Sequence, residues 1–157
     1  PAYLPQTNPG YPWALAGGHM SMRTYLLLLN ERETGMEYWV DAITNPTRGM
    51  SILRDDILGS CKFTGLGTDQ MATAVSDLTG LAIDADQIEQ LVLRTFLRGY
   101  RLEKQQGFEM EDYRLPGVVH LEYPQIELPY FNSKEFFEQL RGRVTEKFDS
   151  MLAILFR

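Results

Sequence analysis

The residues of this chain able to do chemistry beyond packing are few: one cysteine, Cys61, and two histidines, His19 and His120. Cys61 closes the run Asp56-Ile57-Leu58-Gly59-Ser60-Cys61, where the small neighbours Gly59 and Ser60 leave a thiolate approachable. The N–H groups of such a turn are free to donate to sulfur or to an anion. A thiol placed this way serves as a metal ligand; the plainer alternative is a buried cysteine acting as a small hydrophobe. His19 follows Gly17-Gly18, so its imidazole stands under little steric cover. It would titrate near neutrality and suit proton transfer, or else be an ordinary hydrogen-bonded loop histidine. His120, between Val119 and Leu121, reads as structural. The carboxylates fall mainly on polar helix faces, where solvation is their usual fate. A Ser-His-Asp arrangement, a phosphate-cradling glycine loop and a paired-cysteine metal motif do not occur in the sequence, so it does not read as a self-sufficient catalyst.

These residues must be positioned by helices and by the loops between them. Residues 1 to 18 hold four prolines and three glycines, and residues 1–20 read as an extended entry segment. From Ser21, a plausible N-cap, Met22, Tyr25, Leu26 and Leu29 fall at helical spacing, with Leu27 and Leu28 filling the other faces. Met36 to Ile43 is ambiguous between strand and helix and is assigned to helix, with Asn45-Pro46 as the stop. Asp55 to Gly67, with three glycines in its last nine residues, is the least regular part of the interior. Thr68 can cap a helix over Asp69 to Leu78 that ends at Gly80. Asp84 with Gln87 reads as a capping box, and Ile88, Leu91, Val92 and Phe96 continue as an amphipathic stripe to about Leu102. Residues 103–132, with Pro116, Pro124 and Pro129, read as a long connection. Ser133 opens a last helix whose apolar stripe is Phe136, Phe137, Leu140, Val144, Phe148, Met151, Leu152 and Leu155. The expected fold is mainly α: an irregular multi-helix bundle with long loop connections, forming a single helical domain over residues 1–157.

Composition narrows the function classes. At 157 residues and 18.0 kDa the chain has the length to bury a core, and its uninterrupted apolar runs, Leu26 to Leu29 among them, are far too short to cross a bilayer. A formal charge of -6 with scattered basic residues offers no cationic stripe for phosphates, so nucleic acid and anionic membranes are not expected partners. A single cysteine suits a reducing, cytoplasmic setting. The start Pro1-Ala2-Tyr3-Leu4-Pro5, without Met or a leader pattern, reads as a cut inside a longer protein.

The local sequences carry a resemblance. Asp56-Ile57-Leu58-Gly59-Ser60-Cys61-Lys62-Phe63 closely resembles the D-x-x-G-x-C-x-F motif near the C-terminus of the tungsten-containing aldehyde:ferredoxin oxidoreductase family. Pro1-Ala2-Tyr3 resembles the P-A-Y that opens the family's last helical region, and Ala16 to Arg23 resembles its R-G-x-x-H-L-R segment. Downstream, Leu78-Thr79-Gly80 looks like its L-T-G, Arg94 falls where a G-E-R arginine would, and Asp112 with Leu115-Pro116 resembles D-x-L-P. The likeness is collinear over about residues 1 to 117. Glu103 to Gly107 keeps only the glycine of the family's N-x-R-x-G, no arginine precedes Gly17-Gly18, and residues 118–157 share little with the family.

The resemblance implies that Cys61 is the fourth ligand of a 4Fe-4S cluster whose other three cysteines lie upstream in a C-x-x-C-x-x-x-C motif. It implies that Asp56 accepts from a pterin amine, that Gly59 lets the backbone approach inorganic sulfide, and that His19 exchanges a proton with the substrate oxygen. The implied cofactors are a tungsten or molybdenum bis-pterin and the cluster, neither of which the fragment alone would bind. The implied partners are the N-terminal domains of the parent enzyme, ferredoxin and a small aldehyde or related carbonyl. The alternative is a non-catalytic helical interaction module, or an inactive relative, whose lone cysteine is structural.

Overall fold

In the computed structural model the described residues are 10–13, 35–61, 64–115 and 134–156. Their α-helices are α1 (Met36–Thr44), α2 (Ser51–Ile57), α3 (Thr68–Thr79), α4 (Ala85–Gln105) and α5 (Lys134–Leu155), with 3-10 turns at Tyr11–Trp13 and Met110–Asp112. The architecture is a mainly α multi-helix bundle, as the periodicity predicts, and the described residues contain no strand.

Helix α4 begins with the expected reciprocal cap: Gln87 N–H donates to Asp84 Oδ1 at 2.8 Å, and Asp84 N–H donates to Gln87 Oε1 at 2.9 Å. Two of the N–H groups that a helix start leaves without partners are thereby satisfied. Ile88, Val92, Phe96 and Tyr100 are fully buried or nearly so. Successive members of this four-residue row advance about 40° around the axis, so the buried face turns away from Leu91, which sits about 60° behind Ile88. Leu91, expected in the stripe, is instead 41% exposed.

Helix α5 presents the opposing face. Phe137, Leu140, Val144 and Phe148 are buried, while Phe136, Met151, Leu152 and Leu155 pack at the edge of the same core. The Phe96 and Phe148 rings lie 4.8 Å apart, and Tyr100 stands 5.6 Å from Phe148. Tyr113 extends the aromatic set to Tyr100 at 5.8 Å and to Trp13, stacked at 6.0 Å. Tilted and offset ring pairs at these spacings add to the stabilisation from burial itself.

Helix α1 confirms the choice of helix over strand and stops at Asn45. It buries Trp39, Val40, Ala42 and Ile43 and packs on α5, with Arg143 paired to Glu37 and Lys147 Nζ 3.7 Å from Asp41 on the rim. After Asn45 the chain doubles back so tightly that a β-carbon at Gly49 would stand 2.7 Å from the Ala42 carbonyl oxygen. Only glycine fits there.

Three further expectations are corrected. The stretch from Asp55 is irregular only beyond Ile57, because Asp55, Asp56 and Ile57 form the last turn of α2, which packs on α4. Thr68 is the first residue of α3 and not its cap; the N-cap is Gly67, whose N–H donates to Gln70 Oε1 at 2.9 Å. The long connection begins later than residue 103, since Glu103, Lys104 and Gln105 complete α4. Its first part is pinned by the buried Tyr113 and Leu115. The entry segment apart from residues 10–13, the leucine-rich helix from Ser21, and residues 116–133 lie outside the described residues.

Candidate functional site

The turn that carries Cys61 grows out of the end of α2. Leu58 N–H still donates to Arg54 O at 3.0 Å, after which Gly59 N–H donates to Asp56 O at 3.3 Å and Ser60 N–H to Asp55 O at 2.8 Å. This reversal places Gly59 at φ 66°, a left-handed conformation that a side chain disfavours. A β-carbon there would meet nothing within 4 Å, so the requirement at Gly59 is backbone conformation and not space. Cys61 follows as an exposed free thiol, and its carbonyl accepts from Thr64 N–H at 2.9 Å and Thr64 Oγ1 at 2.8 Å. Asp56, at the other end of the same turn, is also exposed. The structure therefore brings Asp56, Gly59 and Cys61 into one turn at the surface; His19 and His120 lie outside the described residues.

Beneath that turn is a feature the sequence did not announce. Arg54 is 7% exposed and Asp55 2%. The guanidinium grips Asp55 Oδ1 through Nε at 3.1 Å and through Nη2 at 2.7 Å. It also donates to Leu66 O at 3.1 Å and to Thr68 Oγ1 at 3.0 Å. Neighbours one apart do not face each other on a helix, so no helical pattern would pair these two residues. The only available signal was an Arg-Asp-Asp run three residues before a glycine.

A second polar group lies where α4 meets α5. Tyr100 Oη donates to Asp149 at 2.8 Å and Tyr113 Oη to Glu103 at 3.1 Å, with Lys104 Nζ 3.7 Å from Asp149. Burial, reinforced by the carboxylates they face, raises both phenols far above the usual tyrosine range. They stay protonated and act as donors, not bases. Burial also raises the Glu103 carboxyl, against the opposing pull of the Tyr113 hydrogen bond. At the start of α4 an open depression of about 410 Å³ is lined by Asp84, Asp86, Gln87, Gln90, Leu91 and Arg94. Its Asp84 and Gln87 are already engaged in the helix cap.

Among the described residues no three of His, Cys, Asp and Glu gather closely enough to hold a metal ion. A 4Fe-4S cluster is held by four thiolates, and this chain has one. An exposed thiol two residues after a left-handed glycine could supply one corner of such a site only if the other ligands came from elsewhere. No helix among the described residues is long and apolar enough to cross a membrane. No family model matches the chain, and no curated protein or solved structure matches it.

Proposed function

We propose that the chain is the C-terminal helical domain of a cytoplasmic tungsten- or molybdenum-pterin oxidoreductase resembling the aldehyde:ferredoxin oxidoreductases, acting on an aldehyde or related carbonyl. The observation that carries this reading is the surface turn in which Cys61 is an exposed thiol, separated from an exposed Asp56 by the left-handed Gly59. When bound, the pterin metal supplies the two-electron oxidation of the substrate and the cluster the relay of electrons to ferredoxin. The chain's own residues bind and orient. Cys61 offers one thiolate to iron, Asp56 accepts from a pterin amine, and Gly59 allows the backbone to pass close to the cluster sulfide. His19 holds or releases a proton at the substrate oxygen.

Metal analysis of the intact parent protein tests this. Iron and tungsten or molybdenum are expected together, and Cys61→Ser should remove or convert the 4Fe-4S electron paramagnetic resonance signal while the pterin metal stays. An intact protein free of all three metals would overturn the reading. It would favour the non-catalytic interaction module, for which Leu78 at 86% and Leu81 at 63% exposure offer apolar contact surface.

A further inference from the structure

The two ends of one loop are held by the same two residues, the start by a main-chain carbonyl and the end by a buried ion pair. The loop runs from Leu58, where α2 stops, to Gly67, where α3 is about to start, and Cys61 lies within it. At its beginning, Asp55 O accepts from Ser60 N–H at 2.8 Å. At its end, Arg54 donates to Leu66 O at 3.1 Å and to Thr68 Oγ1 at 3.0 Å. Arg54 and Asp55 are joined by two hydrogen bonds to a single carboxylate oxygen, and both are more than nine-tenths buried. Burying a charged pair is costly in desolvation, and an apolar pair of similar volume would serve stability as well or better. What the guanidinium adds is direction: its planar fork sets the carboxylate, a loop carbonyl and a helix hydroxyl at fixed angles to one another.

We infer that Arg54 and Asp55 are positioning residues that fix the Cys61 loop: the Asp55 main chain holds its start, and the Arg54 guanidinium, oriented by the Asp55 carboxylate, anchors its end. The inference rests on the cluster reading for its purpose, since a thiolate that shares iron with ligands from another part of a protein must be held in place before they meet. Arg54 and Asp55 act through the loop and not on iron. Thr68 is the third member of the clamp, taking one of the four Arg54 hydrogen bonds.

The test uses the intact protein with Arg54→Lys, which keeps the charge and loses the fork, and Thr68→Val, a milder change that removes one acceptor while keeping the shape. Amide exchange reports the clamp and the cluster signal reports its consequence. In Arg54→Lys, exchange at Ser60 should quicken about ten-fold, with α4 and α5 unchanged, as expected for losing about one charge-assisted hydrogen bond. Thr68→Val should produce a smaller change in the same direction. The reduced-cluster resonance or midpoint potential should shift in Arg54→Lys while the melting temperature holds within a few degrees. Wild-type exchange at Ser60 in both variants would overturn the clamp. Faster exchange with an unaltered cluster signal would overturn the positioning role and leave the pair purely structural. An intact protein without iron would instead defeat the cluster reading, and Ser60 exchange alone would then decide the clamp.

Discussion

The aromatic seam between α4 and α5 and the bend after α2 are both well ordered by their contacts, but by opposite means. The seam is held by area: Phe96, Tyr100, Val144 and Phe148 are completely buried in one core, and the three rings lie against one another, so undirected contacts share the work. The bend is held by direction. A guanidinium, a carboxylate, a hydroxyl and two carbonyls fix it through a handful of hydrogen bonds between 2.7 and 3.1 Å. A packed seam tolerates rearrangement as long as volume is conserved, whereas a polar clamp is correct in one arrangement and costly in the rest. The exposed thiol of Cys61 lies in the region with the second kind of order.

Breaking the seam should have the largest effect. Phe148→Ala would empty the space between Phe96 and Tyr100 and lower the free energy of unfolding by about 3 to 5 kcal/mol, measurable by denaturant titration. Arg54→Met should come next, at about 3 kcal/mol, because the buried Asp55 carboxylate loses the two hydrogen bonds of the guanidinium. The double variant Arg54→Met/Asp55→Leu sharpens the contrast. It should recover most of that stability while Ser60 exchange stays fast, separating what the pair does for folding from what it does for the bend.

The smallest effect is one of pH. With its carboxyl raised by burial, Glu103 holds a proton more tightly in the native state than in the unfolded chain. Between the unfolded and the raised native value the native state binds more protons, so stability falls as pH rises through that window. Glu103→Gln removes this dependence. The variant should match the parent most closely below the window, where Glu103 is itself neutral, and gain relative to it as pH climbs toward neutrality, as followed by melting temperature. Tyr113→Phe deletes the hydrogen bond that pulls the Glu103 pKa down, and should move the window upward.

What was legible in the sequence follows the same division. The α5 stripe was read residue by residue because burial along a long helix repeats with a fixed period, and every member named packs in or against the core. The Asp84–Gln87 cap was legible because its two hydrogen bonds are local. Helix α2 was not: at seven residues it shows less than two full periods, and its N-cap Met50 provides no side-chain bond. Thr68 was misassigned because a hydroxyl before an acidic residue suits a cap equally well, and only the distant Arg54 decides that it serves another partner. The motif residues Asp56, Gly59 and Cys61 were found through resemblance, and the turn that joins them follows from the glycine's left-handed backbone. The Arg54–Asp55 pair was invisible because its meaning lies in atoms twelve and fourteen residues further along the chain.

The stacking of Trp13 on Tyr113 carries a consequence for how the molecule is made. The two rings are about a hundred residues apart along the chain, and closing so long a loop is entropically slow. During synthesis the indole leaves the ribosome well before its partner, so for several seconds a large apolar ring waits without its native cover. A chaperone that binds aromatic segments would find a foothold there before Tyr113 is made.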